Sequence, residues 1–176
     1  MRAHTFSILL TGRDAILHPM TFEAPKLRFQ IRARYEELGP LRQRLRDFLD
    51  QVDFPLGKGG IEEVLLAVDE AVTNILRHGY SIPDPAAKQS GQEPGVIDIE
   101  CAIQEDSLFL RFWDDGIPRE EDQFRSLPPR TPGESGMGLE IMRHIMDELR
   151  FQRTAEDRNL LVMRRSRGPS TWSKLE

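Results

Sequence analysis

The chain has 176 residues and a formal net charge of −5. That length suits one domain that buries its core without disulfide staples. Apolar residues make up 39%, which excludes a disordered polyelectrolyte. The negative balance argues against direct nucleic-acid binding, which rests on neutralising phosphates. No apolar run reaches membrane-spanning length, and Phe6-Ser7-Ile8-Leu9-Leu10 is too short for a signal-peptide core. Cys101 is the only cysteine, so an internal disulfide and a cysteine-based metal site are excluded. Its place in an alternating apolar pattern predicts a buried thiol. The expectation is a cytoplasmic protein with no membrane and no direct nucleic-acid contact.

Residues 1–25 show no sustained periodicity and read as an N-terminal tail or an added strand. From Lys26 to Arg34 apolar and basic residues alternate, the pattern of a half-buried strand. Leu38, Leu41, Leu45, Phe48, Leu49 and Val52 follow helical spacing, and the glycines of Phe54-Pro55-Leu56-Gly57-Lys58-Gly59-Gly60 break that helix. Arg42, Arg44 and Arg46 read as its solvated face. Ile61, Leu65, Val68, Val72, Ile75 and Leu76 form the apolar stripe of a second helix, with Gly79 where a C-cap is expected. Residues 81–95 are rich in Pro, Gly, Gln and Ala and read as a surface loop.

Ile97, Ile99, Cys101 and Ile103 then alternate with polar residues, Glu105-Asp106 turns the chain, and Leu108 to Trp113 returns: a hairpin, with Phe112 and Trp113 expected in the core. Residues 117–134 are polar and proline-rich, and so long a loop in a compact domain is usually functional. Leu139, Met142, Ile145, Met146 and Leu149 predict a third helix. Arg150 to Thr154 and Leu160 to Arg164 predict a last strand pair, and residues 167–176 a C-terminal tail. The order predicts one domain over residues 26–166. Its fold class is an α+β two-layer sandwich, with helices packed on one face of a mixed, mostly antiparallel sheet.

Three segments carry residue types suited to phosphoryl transfer. Glu70 and Asn74 are four apart on the second helix and therefore share a face. A carboxylate there can orient or deprotonate a hydroxyl, and an amide oxygen is a hard ligand suited to Mg²⁺. Asp114-Asp115-Gly116 follows a strand of large apolar residues. It reads either as a strand-end turn or as an acceptor for the adenine amino group, with Gly116 leaving room for the ring. Gly136-Met137-Gly138-Leu139 opens a helix, where bare backbone N–H groups and the helix dipole attract anions. No Gly-Lys-Ser or Gly-Lys-Thr occurs, so this is not a Walker loop, and no strand–helix–strand unit surrounds it as a Rossmann fingerprint requires. The four histidines have no metal-ligand spacing; His78 reads as a helix-end residue.

Together these segments resemble the boxes of the GHKL ATPase superfamily. Glu70-Ala71-Val72-Thr73-Asn74 with His78-Gly79-Tyr80 is similar to the N box, Asp114-Asp115-Gly116 to the G1 box, and Ser135-Gly136-Met137-Gly138-Leu139 to the G2 box. Within the superfamily the chain resembles bacterial anti-sigma-factor serine/threonine kinases, from about Leu27 to Arg165. The resemblance implies a Bergerat-type ATP-binding fold that uses ATP/ADP and Mg²⁺. In it Glu70 is the general base, Asn74 the Mg²⁺ ligand and Asp114 the adenine anchor. Gly116, Gly136, Met137, Gly138 and Leu139 belong to the nucleotide loops, and Ile117 to Ser135 to an ATP lid. It further implies a homodimer that sequesters a sigma factor and phosphorylates a STAS-type anti-anti-sigma protein.

Some residues depart from that pattern. Pro118 replaces the second glycine of the G1 box and removes a backbone donor. Glu134 stands where relatives can carry a basic residue, with Arg130 a substitute from the lid, and Arg158-Asn159 stands where relatives often have Gly-Thr. The competing expectation is therefore a nucleotide-gated binding module of the same fold that performs no transfer. A sensor histidine kinase would need an upstream dimerising helix bearing a substrate histidine, a pattern these residues do not contain.

Overall fold

A computed structural model describes residues 24–57, 59–82, 94–118 and 137–168. Gly136, Glu134, Arg130, the lid from residue 119 onward and the two tails lie outside the described residues. Among the described residues five strands are formed, β1 (Lys26–Arg32), β2 (Val96–Gln104), β3 (Ser107–Asp114), β4 (Glu148–Arg153) and β5 (Asn159–Ser166), together with three α-helices, α1 (Leu38–Val52), α2 (Gly60–Asn74) and α3 (Gly138–Ile145). The sheet order is β1-β2-β3-β5-β4. Every pairing among these strands is antiparallel, so the sheet expected to be mixed has no parallel pair among the described residues.

Period-two alternation sets the two faces of the sheet. Ile97, Ile99, Cys101, Leu108, Leu110, Phe112, Leu161 and Met163 point to one side and join Leu41, Leu45, Leu49, Val64, Val68, Val72, Met142 and Ile145 from the helices in a single core. The thiol of Cys101 is buried there, and burial pushes its pKa up to about 12. The opposite face carries no described helix. Trp113 lies on it, under the guanidinium of Arg28 at 5.2 Å from the ring centroid; Phe112 is core and Trp113 is not. The period of two makes that outcome obligatory for neighbours in one strand.

Two helix features differ from expectation. The apolar spacing that runs on to Leu149 is not one helix: α3 ends at Ile145, and Leu149 pairs with Met163 from β4. Leu149 still packs against the core, which is why strand and helix are equally compatible with its place in the pattern. Gly79 is not a left-handed C-cap either. α2 widens into a π turn, Ile75–Gly79, in which Tyr80 N–H donates to the Ile75 carbonyl at 3.1 Å. The left-handed residue is Ser81, at φ 55°.

The arginines of α1 are partnered rather than simply solvated. Arg42 pairs with Asp69 at 2.8 Å, Arg46 pairs with Glu62, and Arg44 lies over the Phe29 ring at 4.6 Å. Arg165 of β5 meets Glu63 of α2 at 2.7 Å, with both side chains about 5% exposed or less. That pair ties the first turn of α2 to the last strand and fixes where the rest of α2 runs over the sheet.

Candidate active site

α2 packs against α1 on one side and α3 on the other, and its last two turns organise the site. Glu70 and Asn74 face the start of α3. A Cβ built on Gly138 would collide with Glu70 Oε2 and would lie 3.3 Å from Glu70 Cδ and 3.6 Å from Asn74 Nδ2. Only a residue without a side chain lets the opening of α3 come so close to both groups. The structure thereby brings three sequence-predicted residues, Glu70, Asn74 and Gly138, into one cradle. Met137 is exposed beside it, whereas the Leu139 side chain points into the core.

Glu70 is half-buried. Burial raises its pKa above the ordinary carboxylate value; the positive charge of Arg77 opposes this and Asp69 adds to it. A carboxylate with a raised pKa is a stronger proton acceptor once ionised, as a general base requires. The Asn74 amide reaches the same cradle, with Nδ2 as the atom near Gly138, and its oxygen is of the hard type suited to Mg²⁺. No cluster of three His, Cys, Asp or Glu that would cage a cation occurs among the described residues. A magnesium ion held by Asn74 would therefore complete its shell with phosphate oxygens and water, as Mg²⁺ commonly does.

The second group of residues forms where the π turn meets the end of β3. Asp114 is 3% exposed. Its Oδ1 accepts from Gly116 N–H at 2.9 Å and from Asn159 Nδ2 at 2.8 Å. A Cβ on Gly116 would lie 2.6 Å from the Gly79 carbonyl oxygen and 2.7 Å from Gly79 Cα. Ile117 N–H donates to that same carbonyl at 2.9 Å. Gly116 is thus required to be bare by the backbone of Gly79. Tyr80 adds a clamp: its hydroxyl donates to the Val96 carbonyl at 2.9 Å and accepts from Asp115 N–H at 3.3 Å.

Beside this corner a pocket is lined by Ile75, Asp114, Phe151, Gln152, Asn159, Leu160 and Leu161. It is a narrow recess with room for about one water molecule, walled by Ile75, Phe151, Leu160 and Leu161 with three polar side chains, Asp114, Gln152 and Asn159. Ile75 directly follows Asn74, so α2 and its π turn connect the cradle to the pocket. Of the lining residues motif reasoning placed only Asp114 in the site, and Asn159 is the missed one that bonds to it. The available signal was a polar amide directly before the apolar run Leu160 to Met163, as part of the Arg158-Asn159 departure.

The fold is an α+β domain with an antiparallel sheet covered on one face by helices. The profile of the histidine kinase-like ATPase domain matches residues 31–165, and the chain belongs to that family. Membership implies ATP binding. Its relatives include the anti-sigma F factor of Clostridium novyi (strain NT), 29% identical over 144 residues, 80% of this chain and 93% of the relative. The serine-protein kinase RsbW of Bacillus subtilis (strain 168) is 28% identical over 141 residues, 76% of this chain and 81% of the relative. The anti-sigma F factor of Clostridium kluyveri (strain NBRC 12016) is 30% identical over 122 residues, 67% and 78% of the two chains. No helix among the described residues is long and apolar enough to cross a membrane.

Proposed function

We propose that this protein is an ATP-dependent serine/threonine kinase that acts as an anti-sigma regulatory factor. In this reading it sequesters a sigma factor and phosphorylates a STAS-type anti-anti-sigma partner. The observation that carries it is the cradle in which Gly138 admits the Glu70 carboxylate and the Asn74 amide to one point at the start of α3. In this reading adenine binds beside Asp114, where the narrow recess opens to admit the ring, and Asn74 would hold Mg²⁺, which neutralises phosphate charge when bound. Glu70 accepts the proton of the partner's hydroxyl as it attacks the γ-phosphorus, and ADP departs. The kinase-like family and the names of the relatives support the same reading. Gly136 and the lid would contribute backbone donors to the phosphates.

Among the described residues β1 is an edge strand paired with β2, and in this reading the protein assembles as a homodimer. The test of the activity is transfer of the γ-phosphate of radiolabelled ATP to a candidate STAS partner. Wild-type protein is expected to label the partner on a serine or threonine. Glu70→Gln should still bind ATP while transfer drops by roughly two to four decades. Unlabelled partner together with tight ATP binding would instead favour a nucleotide-gated module without transfer.

A further inference from the structure

Asp114, Asn159 and Arg153 stand side by side at one end of the sheet. Asp114 of β3 is directly opposite Asn159 of β5, and Asn159 is directly opposite Arg153 of β4. Directly opposed residues on one face bring their Cβ atoms to about 5 Å, close enough for short side chains to bond. Asn159 is 6% exposed, and its two amide ends are used differently. Arg153 Nη1 donates to Asn159 Oδ1 at 2.8 Å. Arg153 is itself held by the Asp157 carbonyl at 2.6 Å and by the Asp157 carboxylate.

A guanidinium can only donate, so the atom it meets must be the amide oxygen, and the Asn159 NH₂ must face the other way. That NH₂ donates to Asp114 Oδ1 at 2.8 Å and toward the Ile117 and Gly116 carbonyls at 3.1 and 3.3 Å. Gly116 N–H donates to the same Asp114 oxygen. Two donors on one oxygen lock the rotation of the carboxylate, and both reward its acceptor form.

Resting on the adenine-nucleotide reading above, we propose that Asn159, oriented by Arg153, is the positioning residue that sets base specificity in this pocket. It holds Asp114 as a fixed acceptor and thereby selects bases bearing an exocyclic amine at the adenine position over 6-oxopurines. A 6-oxo base brings an acceptor to an acceptor and leaves the buried carboxylate poorly paired, which is the arrangement that discriminates most strongly. Arg153 acts at one remove, by denying the amide its flipped state.

The experiment is calorimetric binding of ADP and of IDP, each with Mg²⁺, to wild type, Asn159→Leu and Arg153→Met. IDP differs from ADP by an oxo group in place of the 6-amino group and by the N1–H that comes with it. Wild type should prefer ADP by about a hundredfold, the upper end of what leaving a buried acceptor unpaired costs. Asn159→Leu keeps the volume and should weaken ADP by about tenfold, the worth of a lost hydrogen bond to a charged group, while IDP changes little. Arg153→Met should narrow the ADP preference by a smaller factor, although it touches no nucleotide in this arrangement.

Equal losses for ADP and IDP in both variants would mean a general structural role and would overturn the proposal. So would an unchanged preference. Should Asn159→Leu not fold, Arg153→Met decides, since its side chain lies at the partly exposed edge of the sheet. Wild-type protein that binds neither nucleotide would refute the nucleotide reading itself; wild-type binding with unaltered selectivity in the variants refutes only the role of Asn159.

Discussion

Gly138→Ala is the sharpest perturbation of the cradle, because it separates stability from chemistry. Gly138 is the first residue of α3, and it is not among the positive-φ glycines, Gly57, Gly59 and Gly168. Alanine is therefore allowed by the backbone, and in a helix it is worth about 0.5–1 kcal/mol more than glycine. The added methyl meets the far end of a flexible side chain, Glu70 Oε2, inside any tolerable contact distance. The carboxylate must retreat by roughly 1 Å to reach ordinary van der Waals separation. It can do so by rotation, because nothing in the contact is backbone. A displacement of that size at a reacting group costs on the order of a hundredfold in rate.

The expected outcome is a protein that melts at or slightly above the wild-type temperature and transfers phosphate about a hundredfold more slowly. Circular dichroism melts and the radiolabel transfer assay read the two quantities on the same preparation. In a Glu70→Gln background the alanine should add little further loss, since the displaced group is already inactive. Wild-type transfer by Gly138→Ala would refute the reasoning, as would an additive loss in the double variant.

Gly116→Ala should behave in the opposite way. Its methyl would strike Gly79 Cα and the Gly79 carbonyl, which are backbone, so the loop must shift and about 1–3 kcal/mol of stability should be lost, measured by urea unfolding. Glu63→Gln should destabilise by about 3–5 kcal/mol, because it leaves Arg165 buried without its counter-charge. Glu63→Leu combined with Arg165→Met should recover most of that, and equal stability of the single and double variants would contradict the argument.

Burial raises the Glu70 pKa from 4.5, so the native state holds that proton more tightly than the unfolded chain. Its contribution to stability therefore falls as pH rises from the ordinary carboxylate value through the raised one. Glu70→Gln should melt like wild type at pH 4 and above it at pH 7, while wild-type transfer climbs over the same window. Cys101, with its thiol pushed up to about 12, should react with a thiol reagent at pH 8 only after denaturation; stoichiometric labelling of native protein would contradict its burial.

Local periodicity was enough to read most of this fold from the chain. The stripe of Ile61, Leu65, Val68 and Val72 specifies a helix with one buried face, and the alternation of Ile97, Ile99, Cys101 and Ile103 specifies a strand, because each pattern fits only one period. The four-residue spacing of Glu70 and Asn74 placed them together for the same reason. Periodicity did not distinguish helix from strand at Leu149, where one apolar residue satisfies both geometries. It did not reveal the partners of Arg42, Arg44 and Arg46, which lie on other elements.

Proximity across the sequence belonged to tertiary structure alone. The need for a bare residue at Gly116, 37 positions from the Gly79 backbone it meets, arises only when the π turn is laid against the end of β3. Asn159 became part of the site through strand register, which set it opposite both Asp114 and Arg153. A sequence specifies which face each side chain takes within its own element. Which faces meet, and therefore which glycine must be bare and which amide must hold a carboxylate, is decided when the helices settle on the sheet.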